Sequence, residues 1–101
     1  MKLWIDATTP APDDCLWCKG LDDSVDMIQF CERLQKYTFD RKMLELIDII
    51  DISYDSKVYT EITNWLKETG RNYPIRIHSM NPVGVENMRR IIQRNGWTEV
   101  K

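Results

Sequence analysis

The sequence predicts a single small α/β domain built on a mostly parallel sheet of four or five strands. Three observations predict it. Short apolar runs alternate with amphipathic helical stretches, the order expected of a parallel sheet with right-handed crossovers. Each helical stretch carries its own start or stop signal. The chain has 101 residues, 43% hydrophobic and 30% charged, which is ordinary usage for one globular domain.

Residues 2–6 read as the first strand. Leu3, Trp4 and Ile5 form a continuous apolar run, as expected of a strand buried on both faces, and the run ends in Asp6. Residues 7–14 hold two prolines and two acids and read as a loop. Residues 15–18 read as a second strand, closed by Gly20. The first helix follows, with Asp22, Asp23 and Ser24 as N-cap candidates. Val25, Met27, Ile28, Phe30, Cys31 and Leu34 recur at spacings of three and four, a broad apolar stripe ending near Lys36.

Phe39, Met43, Leu44 and Leu46 suit a further helical turn or two between residues 37 and 46. Residues 47–53 hold four isoleucines and favour a strand, with Asp48 and Asp51 requiring that one end or face be wet. The second helix covers residues 58–69, and Gly70 stands where a left-handed residue ends a helix. Residues 74–79 form the next strand. Asn81 is the cap and Pro82 the first residue of the third helix, whose stripe is Val85, Met88, Ile91 and Ile92. Asn95-Gly96 stops it, and residues 97–100 add a last short strand.

Composition excludes several functions. The net charge of −2 offers no basic surface for nucleic acid. No apolar run is long enough to span a membrane. The amino terminus reaches Asp6 too soon for a signal peptide, so a cytoplasmic location and reduced cysteines are expected. Cys15 and Cys18 form a C-x-x-C, but Lys19-Gly20 and two acids separate it from the helix where a thiolate is stabilised, and no second pair completes a zinc site. Of the four tryptophans, Trp4 and Trp65 fit the core, and Trp17 and Trp97 are expected to be partly exposed.

In open α/β sheets, ligands bind outside the carboxyl ends of the strands. Three such ends carry polar chemistry here: Asp6, then Ser53-Tyr54-Asp55, then His78-Ser79-Met80-Asn81 at a helix N-terminus, where free amides favour an anion. Histidine is the side-chain type that most readily exchanges a proton near neutral pH, and His78 is the one histidine, so it is the candidate acid or base, although a lone strand histidine is more often structural. Asp6 is the best functional acid; its plain alternative is a cap on the Thr8-Thr9 loop. Arg76 shares a strand face with His78 and suits a phosphate, although such an arginine is more often a solvated edge charge or a partner for a nearby acid. Ser79 is a donor to a phosphate oxygen or a partner for turn amides, Asn81 a helix cap that also lines the pocket, and Gly84 a bare stretch of backbone for close approach.

The segment Ile75-Arg76-Ile77-His78-Ser79-Met80-Asn81-Pro82-Val83-Gly84-Val85-Glu86-Asn87-Met88 resembles the signature of the cyclic-phosphate-processing receiver-like family. Leu3-Trp4-Ile5-Asp6, followed by Pro10-Ala11-Pro12, resembles that family's first strand and loop. The resemblance implies a receiver-like, flavodoxin-like three-layer sandwich and the handling of a phosphate ester, a cyclic phosphate or an RNA end. The sequence also departs from the family. Ala7 stands where a second acid follows the first strand, and Ser53 and Tyr54 stand where the middle strand's motif has an acid and a histidine. Receiver domains use these acids as phosphoacceptor and to hold a divalent metal. Asp6 and Asp55 alone leave a Mg²⁺ site short of ligands, and aspartyl phosphorylation is not expected. Two functions follow: binding and processing of a phosphate ester through His78, Asp6, Ser79, Asn81, Gly84, Arg76, Ser53 and Asp55, or a degenerate receiver-like module that binds a protein partner without catalysis.

Overall fold

The computed structural model describes residues 1–37, 47–54 and 57–101, without the side chains of 35–37. The further helical turns expected between residues 37 and 46 lie outside the described residues, as does Asp55. Five strands, β1 (Lys2–Ile5), β2 (Cys15–Cys18), β3 (Ile49–Ser53), β4 (Ile75–His78) and β5 (Glu99–Val100), form one sheet in the order β2-β1-β3-β4-β5. Every pairing is parallel. Among the described residues the helices are α1 (Leu21–Tyr37), α2 (Val58–Glu68) and α3 (Pro82–Arg94). None is long and apolar enough to cross a membrane.

Local signals explain most boundaries. Asn81 caps α3, accepting from the amides of Val83 and Gly84 at 3.1 and 3.4 Å, with Pro82 at its first position. Gly70 and Gly96 both have left-handed backbone, at φ 68° and 69°, just past α2 and α3. The start of α1 differs from expectation. The helix begins at Leu21, so Asp22, Asp23 and Ser24 lie inside its first turn. The buried Ser24 hydroxyl donates to the Gly20 carbonyl at 2.7 Å, and the Asp23 carboxylate accepts from the Lys19 amide.

Register decides where the core lies. Leu3, Ile50 and Ile75 stand side by side, as do Ile5, Ile52 and Ile77, and side chains alternate between faces along each strand. Leu3, Ile5, Ile50, Ile52 and Ile75 are fully buried. They form one cluster with Ile28 and Cys31 of α1, Ile62 and Leu66 of α2, and Met88 and Ile92 of α3. All three described helices therefore pack on one face. Across the last pairing, Glu99 and Arg89 of α3 meet at 2.8 and 3.0 Å and tie the short edge strand β5 to its helix.

The opposite face corrects two expectations. The strand β1 is not buried on both sides: its residues alternate between half-buried and buried, with Lys2 and Trp4 on the far face. Among the described residues, the connection 6–14 covers part of the far face. That connection crosses the far face, where Trp4 Nε1 donates to the Thr9 carbonyl at 3.0 Å and Lys2 pairs with Asp14 at 3.2 Å. Trp4 is thus outside the core, half-buried on this face. Trp65 packs against the core's margin with the Arg71 guanidinium 4.4 Å above its ring, and Trp17 and Trp97 are half-buried. The broad α1 stripe is also narrower than its sequence. Ser24, Ile28 and Cys31 face the core, while Phe30 and Leu34 point outward, 52% and 38% exposed.

Candidate functional site

The far-face positions nearest the carboxyl ends hold the polar cluster. Register aligns Trp4, Asp51 and Arg76 across β1, β3 and β4, and one step on aligns Ser53 with His78. Asp6 follows immediately after β1, its amide bonded to the Cys18 carbonyl at 3.1 Å. Alternation brings these side chains to the same face.

His78 is the centre. Its Nδ1 lies 2.5 Å from Asp51 Oδ1, and its Nε2 lies 3.1 Å from Asp6 Oδ2. The Trp4 indole stacks on the ring, centroids 3.6 Å apart and planes 9° from parallel. Both acids are nearly inaccessible, Asp6 at 4% and Asp51 at 6% exposure, whereas the His78 side chain keeps 19%. Ionised carboxylates only accept hydrogen bonds, and a neutral imidazole donates only one. Satisfying both contacts takes either an imidazolium or one protonated carboxyl group.

Asp6 has a second set of partners. Its Oδ1 accepts from the amides of Thr8 and Thr9 at 2.9 and 3.0 Å, folding the start of the 6–14 connection back on the strand. Its main-chain carbonyl accepts from Trp17 Nε1 at 2.8 Å. Burial pushes the Asp6 carboxyl up, but the Thr9 and Thr8 amides and His78 outweigh it and hold the group below its ordinary value. One side chain thus both caps the loop and contacts His78.

The other sequence candidates are distributed around this centre. Arg76 Nε stands 4.0 Å from Asp51 Oδ2, with half its side chain in solvent. Ser53 is buried beside His78 in register. Ser79 Oγ accepts from the Asn81 amide at 3.1 Å. The α3 amides of Val83 and Gly84 are committed to Asn81. Gly84 is not bare backbone: the Tyr54 ring lies against it, and a Cβ there would collide with Tyr54 Cδ1. Tyr54 in turn packs on Tyr59, ring centroids 4.9 Å apart. The structure therefore brings His78, Asp6 and Arg76 together, and sets Asn81 and Gly84 apart as parts of the α3 cap and the Tyr54 contact.

Asp51 and Trp4 are the site residues the sequence did not single out. Asp51 was legible as an acid in an isoleucine strand, two residues before Ser53 and hence on the face opposite Ile50 and Ile52. Trp4 was hidden by its apolar character.

The C-x-x-C lies within β2, so alternation sends Cys15 and Cys18 to opposite faces. Burial pushes the Cys18 thiol up to about 11. Among the described residues no group of three or more His, Cys, Asp and Glu side chains is placed to hold a metal. The cluster itself does not fit a divalent cation, because the imidazole stands between its two carboxylates.

A family model described as the cyclic-phosphate processing receiver domain matches residues 1–94. No curated protein and no solved structure gives a significant match.

Proposed function

Because the chain belongs to the cyclic-phosphate processing receiver domain family, we propose that it binds and processes a phosphate ester, a cyclic phosphate foremost, on the far face at the carboxyl end of the sheet. The observation that carries this reading is the clamped imidazole: His78 between Asp51 and Asp6, backed by Trp4.

Asp51 holds the Nδ1 proton and Trp4 fixes the ring plane, so Nε2 is the working nitrogen. Opening a cyclic phosphodiester needs a base for the attacking water and an acid for the leaving alkoxide. Asp6 takes a proton from water as the oxygen attacks phosphorus. The incoming ligand parts Asp6 from Nε2, and the imidazolium gives its Nε2 proton to the leaving oxygen as the P–O bond breaks. When the 3.1 Å contact re-forms, the proton passes from Asp6 to Nε2 and restores the starting state. Arg76 offsets the phosphate charge from the open side. Asn81 already uses the first α3 amides, so the anion is assigned to the His78 side of the pocket and not to the helix N-terminus.

The alternative is a receiver-like module that binds a protein without catalysis. The engagement of both His78 nitrogens favours it, since a ligand must displace Asp6 to reach Nε2.

The deciding experiment follows a 2′,3′-cyclic nucleotide by phosphorus NMR, with the His78 ring resonances monitored alongside. Wild type is expected to open the ring. His78→Gln should lose roughly 10²–10⁴-fold, the usual worth of an acid–base group. Asp51→Asn should lose rate while still binding. No turnover and no His78 shift at millimolar ligand would sink the reading and leave the non-catalytic module.

A further inference from the structure

We infer that two copies of this chain associate through α1, packed antiparallel about a two-fold axis at Phe30. This surface lies on the helical side, away from His78, and the inference does not depend on the phosphate reading.

The first observation is an exposed apolar ridge on the outer side of α1. Ser24, Ile28 and Cys31 occupy the inner face of α1, and Phe30 points the other way, 52% exposed, with Leu34 38% exposed beside it. A groove between β2 and α1 adjoins the ridge, apolar at Leu16, Met27 and Phe30 and charged at Asp23, Asp26 and Arg33. Its strand wall is the sheet edge, and that edge reads Cys-Leu-Trp-Cys, with none of the charges or prolines that usually blunt one.

The second observation chooses the occupant. Each helical residue turns by about 100° and rises about 1.5 Å. Asp26 lies four residues before Phe30 and Arg33 three after, so both fall on the same flank of the ridge. Met27 and Leu34, three before and four after, fall on the other flank. A two-fold axis at Phe30 reverses the helix direction and keeps each flank on its own side. It sets Asp26 of one copy against Arg33 of the second, offset by only about one residue's rise. It sets Met27 against Leu34 in the same way, with the two Phe30 rings in the middle. Asp26 and Arg33 are both exposed and able to meet a partner. The pattern is self-complementary twice over, in charge on one flank and in apolar surface on the other, which is the requirement of an isologous contact.

One helix pair covers less than the ~1,200 Å² of a standard stable interface, so the association is expected to be weak and concentration-dependent. Sedimentation velocity over a range of concentrations tests it. The wild-type mass should rise from 12.0 kDa toward twice that value. Asp26→Arg and Arg33→Asp, each alone, should weaken association by about tenfold, because each places like charges across the two-fold. The double variant should recover it. An equimolar mixture of the two single variants should associate better than either alone, since each then meets its opposite. Phe30→Glu should abolish it. These positions are on the surface, and circular dichroism confirms the fold of each variant. A mass that stays at 12.0 kDa at every concentration overturns the inference. So does association that ignores the charge reversals, or a double variant that fails to recover.

Discussion

The two faces of the sheet are built from alternate residues of the same strands, and they are buried for different reasons. On the helix-covered face, Leu3, Ile5, Ile50, Ile52 and Ile75 are excluded from water by packing. On the far face, Asp6, Asp51 and Ser53 are almost as inaccessible, but carboxylates in such positions persist only because hydrogen bonds replace their lost water. The covered face tolerates any well-shaped apolar set. The far face requires particular partners at particular distances. Substitutions one residue apart should therefore fail in different ways: covered-face changes in stability, far-face changes in protonation and binding.

The largest effect is expected from the pair Ile52→Ala and Asp51→Asn, adjacent in β3. Ile52 is fully buried, and truncating it should cost about 2–5 kcal/mol, through lost transfer energy and the cavity left behind. Urea unfolding followed by tryptophan fluorescence measures this. The folded Ile52→Ala protein should keep the His78 ring resonances of wild type. Asp51→Asn should move those resonances with a smaller change in the urea midpoint. Equal stability losses, or a His78 signature altered by Ile52→Ala, would erase the distinction between the faces.

The same division explains what the sequence made legible. The strand and helix order, the Asn81-Pro82 cap and the stops at Gly70 and Gly96 are local signals, written in a few adjacent residues each. The match of residues 1–94 to the receiver family agrees with them. Whether a face receives a helix is not local. Leu3-Trp4-Ile5 reads as uniformly apolar, and nothing in that run says that Leu3 and Ile5 meet helices while Trp4 meets His78. Phe30 fits a core stripe by period, yet lies almost opposite Ile28 on the helix. The His78 cluster was half legible. His78, Asp6 and Arg76 stood out as polar groups near strand ends. Asp51 did not, because its importance comes from parallel register with Trp4 and Arg76, a relation between residues 25 or more positions apart. The cover over Gly84 is illegible for the same reason: only the fold puts the Tyr54 ring against it.

A second test separates the far face by pH. Asp6 is held below its ordinary value in the folded chain, so the unfolded chain binds more protons there as acid is added. Its contribution is fully present above about pH 4, where the unfolded carboxyl is ionised, and is lost as pH falls below that toward the folded value. Thermal melting between pH 6 and pH 2 should show wild-type stability declining through this window. Asp6→Asn should start less stable and decline less steeply. An unchanged slope would mean that the Thr8, Thr9 and His78 contacts do not favour the charged carboxylate, and the geometry of the far-face cluster would need another cause.

The smallest effect on stability is expected at Arg76, and its smallness is informative. Its side chain is about half exposed and stands 4.0 Å from Asp51, the limit of an ion pair. Such pairs contribute about 0–1 kcal/mol, and less as salt rises. Arg76→Gln should thus barely move the urea midpoint, since Asp51 keeps its 2.5 Å partner in His78. If the far face binds a phosphate, the same substitution should weaken that binding several-fold at low ionic strength, and the deficit should shrink with added salt. The guanidinium would then serve the incoming anion more than the fold. A loss of stability comparable to that of Asp51→Asn would instead make Arg76 part of the structural cluster, and the open side of the site would have to find its positive charge elsewhere.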